Sequence, residues 1–65
     1  MLVGERHRRI LEELGANPEI SVAQLSKILY VSEPTIRRDL TELQRQGLIR
    51  RNHGGAELLQ FFLAV

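Results

Sequence analysis

The stretch Ser32-Glu33-Pro34-Thr35-Ile36-Arg37-Arg38-Asp39-Leu40 restricts the fold more than any other part of this 65-residue chain. Ser32 suits a helix N-cap, where its hydroxyl accepts from a free N–H of the first turn. Glu33 puts negative charge at the positive end of the helix dipole. Pro34 costs little in a first turn, where no intrahelical N–H bond is lost. Ile36, Leu40 and Leu43 then share one face by i, i+4, i+7 spacing. At about 100° per residue, Pro34, Arg38, Thr41 and Arg45 gather on the opposite face, with Arg37 on its flank. A short helix anchored on one side and carrying arginines and hydroxyls on the other suits a DNA major groove.

The flanking segments supply the anchor. A first helix is expected over residues 5–14, with Val3, His7, Ile10, Leu11 and Leu14 on one stripe. Arg6, Arg9, Glu12 and Glu13 fall outside that stripe or at its edge. Gly15 is placed to end the helix, and Ala16-Asn17-Pro18 breaks it. Ile20-Ser21-Val22 is β-prone but too short for more than one or two bridges. Ser21 with Gln24 three residues on forms a capping box that opens a second helix over residues 22–29. Leu25, Ile28 and Leu29 are expected to face inward from it.

Tyr30-Val31 joins this helix to the Ser32 cap, so the two helices must cross steeply, with Val31 plugging the corner. The third helix should run over residues 33–46 and end at Gly47. Residues 48–52 read as a strand, His53-Gly54-Gly55 as a turn and residues 56–59 as the returning strand. The expected fold is therefore mainly α with a small β-hairpin. Three helices plus a two-stranded wing make a winged helix-turn-helix over residues 1–59, with the helix-turn-helix unit at about 20–39 and the wing at about 48–58. Residues 60–65 hold both phenylalanines in an apolar run that this order does not use. Four readings of that tail stay open: folding back on the core, extending the wing, pairing two chains, or a truncation before a further domain.

Composition narrows the function. Net charge is only +1, but its distribution is uneven. Arg6, Arg8 and Arg9 at one end and Arg37, Arg38, Arg45, Arg50 and Arg51 towards the other frame a middle with Glu12, Glu13, Glu19 and Glu33. The absence of cysteine removes disulfides and cysteine metal sites and fits a cytoplasmic setting, for a DNA binder on the nucleoid. No run approaches the roughly 18 apolar residues of a membrane span, and Met1-Leu2-Val3-Gly4 is too short for a signal peptide. His7 and His53 lack metal-ligand spacing, and the acidic residues fall on helix surfaces without an evident pocket. No enzyme activity, metal or cofactor is expected.

The strings Val31 to Leu40, then Leu43, Gly47-Leu48-Ile49-Arg50-Arg51 and His53-Gly54-Gly55-Ala56, resemble the DNA-binding domain of the DeoR-type bacterial repressors. Glu5-Arg6, Ile10-Leu11 and Ile20-Ser21-Val22 with Leu25 match its first two helices, so the resemblance covers about residues 5–58. It implies repression of sugar or nucleoside catabolic operons. It also implies that a sugar-phosphate effector acts only through a larger domain absent from this chain. Tyr30 departs from the glycine or asparagine often found between these helices. At positive φ a tyrosine is strained, so either the turn differs or packing offsets the cost.

The candidate DNA contacts are Ser32, Pro34, Thr35, Arg37, Arg38, Thr41, Arg50, Arg51 and His53. Arg38, opposite the core, is the first choice for a base edge, and Arg37 for phosphate. Ser32 caps the helix and with Thr35 can hold a phosphate, while Pro34 is a candidate for a thymine methyl. Arg50, Arg51 and His53 would reach the backbone or minor groove from the wing, although strand alternation keeps Arg50 and Arg51 from pointing the same way. Asp39 repels phosphate and reads as structural, orienting an arginine or tying the helix to the wing. The plain alternative for Arg37 and Arg38 is a solvated face with ion pairs to Asp39 or Glu42; for Arg6, Arg8 and Arg9, solvation is favoured over phosphate. The rival function is a protein-interaction or dimerisation module built on Leu58, Leu59 and Phe61 to Leu63. A homodimer on DNA is compatible with either reading.

Overall fold

The computed structural model describes residues 2–52 and 55–58. Their order is α1 (Val3–Ala16), α2 (Val22–Leu29), α3 (Glu33–Arg45), β1 (Ile49–Asn52) and β2 (Gly55–Leu58). This is the expected winged helix-turn-helix. Met1, His53, Gly54, Leu59 and the tail 60–65 lie outside the described residues, so the readings of His53 and of the tail are not addressed by it.

Local chemistry explains where each helix begins and ends. The Ser21 hydroxyl accepts from the Gln24 N–H at 3.0 Å, and the Gln24 side chain accepts from the Ser21 N–H at 2.8 Å, completing the capping box of α2. The Ser32 hydroxyl accepts from the Thr35 N–H at 3.3 Å and starts α3. α1 is longer than its pattern suggested at both ends. Its first turn closes on the Leu2 carbonyl, which accepts from the Arg6 N–H at 2.9 Å without any side-chain cap. Gly15 lies inside the helix. The stop is Asn17, extended at φ −144°, because the Pro18 ring disfavours helical backbone in the residue before it.

The joint between α2 and α3 adopts the left-handed turn, with Tyr30 at φ 58° and ψ 42°. No packing offsets the strain, since Tyr30 is 92% exposed. Ser26 holds the joint instead. Its carbonyl accepts from the N–H groups of Tyr30 and Val31, and its hydroxyl donates to the Val31 carbonyl. Val31 is half-buried against the core at the corner, as expected. Gly47, at φ 82°, supplies the other positive φ and turns the chain out of α3 into the wing.

β1 and β2 pair antiparallel with Ile49 opposite Leu58 and Asn52 opposite Gly55. Gly55 therefore belongs to β2 rather than to the turn, and Leu48 precedes β1. The β-prone segment around Ile20 makes a bridge at Ser21, within the one or two that its length allows. The core draws Ile10 and Leu14 from α1, Leu25 and Leu29 from α2, Ile36, Leu40 and Leu43 from α3, and Ile49 and Ala56 from the wing. Ile20, in the link between α1 and α2, joins the same core. Val3 and Ile28, both expected inside, are exposed. In so short a helix Leu25 and Leu29 take the contact, and Ile28 falls well to one side of the line joining them. Val3 sits on the first turn of α1, ahead of the part that meets the core.

Candidate nucleic-acid interface

Every large aliphatic side chain of α3 is buried, which fixes which face it turns outward. Arg37, Arg38, Thr41 and Arg45 are exposed on that face together with Pro34. The arginines differ in their partners. Arg37 donates to the Glu33 carboxylate one turn back at 2.9 Å. Arg45 donates to Glu42, which also accepts from the Gln46 amide. These exposed hydrogen bonds, Arg45 first, hold the Glu42 carboxyl down at about 2. Arg38 makes no hydrogen bond or ion pair among the described residues, so its fork is free for a ligand.

Arg38 is not squarely opposite the core, however. It lines a cleft of about 280 Å³ between α1 and α3, together with Val3, Arg6, His7, Asp39 and Glu42. At the floor of that cleft lies Asp39, a carboxylate whose side chain is 4% exposed. Arg6 reaches it from α1 with two donors, Nε to one oxygen and a terminal nitrogen to the other at 2.9 Å. His7 Nε2 lies 3.2 Å from the same carboxylate. Burial works against the charged form of Asp39, but the hydrogen bonds from Arg6 and then His7 outweigh it and hold the carboxyl below the usual range. The same contact raises the Arg6 guanidinium above its ordinary value.

This clamp corrects two expectations. Asp39 does orient an arginine, but it ties α3 to α1 and not to the wing. Arg6 is neither solvated nor available for phosphate, because its side chain folds onto Asp39 and is 14% exposed. Arg8 and Arg9 pair along α1 with Glu12 and Glu13, as a solvated face does.

On the wing, alternation separates the two arginines. Arg50 is exposed. Arg51 shares the inward side of β1 with Ile49 and is half-buried. One of its terminal nitrogens donates to the Thr41 hydroxyl at 3.4 Å, while its Nε is buried without a partner among the described residues. Thr41 in turn donates to the Arg37 carbonyl at 3.0 Å, so its hydroxyl is engaged from both sides. At the other end of the helix Ser32 and Thr35 share a hydrogen bond of 2.9 Å between their hydroxyls.

A family model described as the DeoR-like helix-turn-helix domain matches residues 6–61. The chain belongs to this family. It is 54% identical over 56 residues to the HTH-type transcriptional regulator GlpR of Haloferax volcanii, covering 86% of this chain and 22% of that protein. It is 46% identical over 54 residues to the glycerol-3-phosphate regulon repressor of Escherichia coli, covering 83% of this chain and 21% of that one. The L-fucose operon activator of Escherichia coli is also 46% identical over 54 residues, covering 83% of this chain and 22% of that protein. The chain thus spans about a fifth of the length of the curated relatives it matches. No solved structure matches it.

As a DeoR-like domain the chain is a sequence-specific DNA-binding module of transcription regulators. Its structure gives each letter of residues 35–40 a place. Thr35 joins the cap, Ile36 and Leu40 enter the core, Asp39 closes the clamp, and Arg37 and Arg38 face outward. Glu33, which the sequence placed only as a helix-dipole residue, also pairs with Arg37. Its i, i+4 spacing to Arg37 was the available signal. Among the described residues no cluster of His, Asp and Glu could hold a metal, and no helix is long and apolar enough to cross a membrane.

Proposed function

We propose that the domain reads an operator by seating α3 in the major groove, as part of a longer regulator of sugar or nucleoside catabolic genes. The observation that carries this is the division of α3: all its aliphatic side chains are buried, and arginines and hydroxyl groups occupy the outer face. Arg38, unpaired among the described residues, is assigned to a base edge. Ser32 and Thr35 at the helix start, with Arg50, Arg51 and His53 on the wing, are assigned to phosphate; Pro34 and Thr41 border the groove. Two copies would read half-sites roughly 34 Å or a multiple apart.

The named relatives extend this reading. One is a glycerol-3-phosphate regulon repressor and another an L-fucose operon activator. The shared domain therefore sets where a regulator binds and leaves the sign of regulation to other parts. Repression is our first assignment. A sugar-phosphate effector would act through sequence outside these residues, and the working compartment is the cytoplasm, on nucleoid DNA.

The test is selection from random duplex DNA at two salt concentrations, with the chain and with Arg38→Ala. An enriched motif, with retention falling steeply as salt rises, is the expected result. Arg38→Ala should reduce binding to the enriched motif roughly 5- to 150-fold more than binding to unrelated DNA. Equal loss on both would make Arg38 a phosphate contact. No enrichment and no salt-sensitive retention would favour the protein-interaction module.

A further inference from the structure

Arg37 was assigned to phosphate by its position on the flank of α3, and its partner argues against that. Its fork donates to Glu33 at 2.9 Å, and both side chains are about half exposed on the outer, N-terminal part of the helix. A phosphate bound by Arg37 would bring a second anion against the Glu33 carboxylate, in a pair whose net charge is zero. Such a pair neutralises no phosphate. The end of a recognition helix that contacts base edges is its N-terminal end, and Glu33 is the first helical residue of α3.

We propose that Glu33 and Arg37 read one G·C base pair as a unit. Arg37 donates to guanine N7 and O6, and Glu33 accepts from the amino group of the paired cytosine. The chemistry of the pair matches the groove edge. In the major groove a G·C pair presents two acceptors on guanine beside one donor on cytosine. Arg37 donates to Glu33 through one terminal nitrogen, whose second hydrogen has no partner among the described residues and forms, with the adjacent N–H on the same edge of the guanidinium, a parallel two-donor fork. Among the described residues only one Glu33 oxygen is engaged, so its other oxygen offers an acceptor beside those donors. Two donors next to an acceptor are the complement of that edge. The i, i+4 hydrogen bond sets the spacing before DNA arrives and reduces the side-chain ordering that binding would otherwise require. A reversed C·G pair puts the amino group under the arginine and the guanine acceptors under the carboxylate, so the unit also sets the strand.

This inference rests on the DNA-binding reading, and the experiment separates the two. Selection from random duplex DNA is run with the chain, Glu33→Asp, Glu33→Ala, Arg37→Met and the double variant Glu33→Ala/Arg37→Met. Glu33→Asp keeps negative charge at the helix start but shortens the reach of the carboxylate. Circular dichroism checks that each variant keeps its helices, since an exposed i, i+4 pair adds little to the fold. The expected result is a motif with one G·C pair whose preference falls roughly 5- to 150-fold in every single variant, and no further in the double variant. Arg37→Met should leave the salt dependence unchanged, whereas loss of a phosphate contact would lower its slope by about 0.9. A uniform change in affinity with the motif intact would overturn the proposal and make Glu33 a helix-stabilising residue only. So would relaxation of two different base pairs by the Glu33 and Arg37 variants. A parent chain that enriches no motif would instead overturn the DNA-reading assignment, and this one with it.

Discussion

The two flanks of α3 are held by opposite means. On the α1 side a buried carboxylate takes two donors from Arg6 and lies beside His7. On the wing side the side-chain link among the described residues is one hydrogen bond of 3.4 Å between Arg51 and the Thr41 hydroxyl, next to a buried Nε with no partner among them. A bidentate charge-assisted pair fixes orientation as well as distance, and one long neutral–charged contact does neither. The helix that presents Arg37 and Arg38 therefore takes its charge-assisted link from α1, while its apolar packing is against α2 and β1. The wing packs on α3 through β1, where Ile49 is buried, and on α1 through β2, where Ala56 is buried.

The largest effect should come from breaking the α1 flank. Asp39→Ala leaves the largely covered Arg6 with no carboxylate to pair with, which should cost about 3 kcal/mol. This is the low end for buried pairs, because Arg6 keeps some solvent. For a domain of this size that is a fall in Tm of about 12–24 °C, read by thermal circular dichroism. Acid sharpens the contrast with the exposed carboxylate one turn on. Asp39 and Glu42 both sit below their ordinary values of 3.8 and 4.5. Each therefore favours the folded state above its ordinary value, and loses that contribution as pH falls through its folded value, about 2 for Glu42. Asp39→Asn should flatten the loss of stability below about pH 4. Glu42→Gln should leave the acid curve close to that of the parent, since its ion pair with Arg45 is exposed and screened.

A smaller effect of opposite sign is expected at the joint between α2 and α3. Tyr30 holds a left-handed conformation that costs an L-residue roughly 1–2 kcal/mol, and its exposed ring returns no packing. Glycine removes the strain but adds freedom to the unfolded chain. Tyr30→Gly should therefore stabilise by a net of about 0.5–1 kcal/mol. Urea denaturation would measure it as a higher midpoint at unchanged slope. Destabilisation would mean that the ring makes a contact that offsets the strain. If Tyr30→Gly also leaves DNA selectivity unchanged, the Tyr30 ring takes no part in aiming α3.

Legibility from sequence followed distance along the chain. Ser21 with Gln24, Ser32 with Thr35, the Ile36–Leu40–Leu43 stripe and the Gly47 turn are each decided within a few residues, and each reads directly from its spacing. The Arg6–Asp39 clamp joins residues 33 apart, and no helical period connects them. Asp39 could be read as structural because an acid beside two arginines opposes phosphate, but its partner depended on how α1 packs. The same limit applies to Arg37 and Arg38. Periodicity put both outside the core, and the packing of α1 then drew Arg38 over the cleft, away from the direction opposite the core. Val3 and Ile28 misled for a related reason: an apolar residue at the edge of a stripe is buried only if a neighbour reaches it.

The smallest effect should come from the wing flank. Arg51 carries a buried Nε that makes no hydrogen bond among the described residues, and leaving a donor unpaired costs more than replacing it by an apolar group of similar shape. Arg51→Met keeps the stem against α3 and removes the orphan donor. Its stability in urea should stay within about 0.5 kcal/mol of the parent, with any shift towards greater stability. A loss above about 1 kcal/mol would show that the bond to Thr41 is a second clamp, and α3 would then be fixed from both sides. DNA binding separates the two cases independently. If the wing is free to adjust, Arg51→Met should change affinity on all sequences alike and leave base preferences intact. A changed motif would mean that Arg51, through Thr41 and the Arg37 carbonyl to which Thr41 donates, helps to aim the helix.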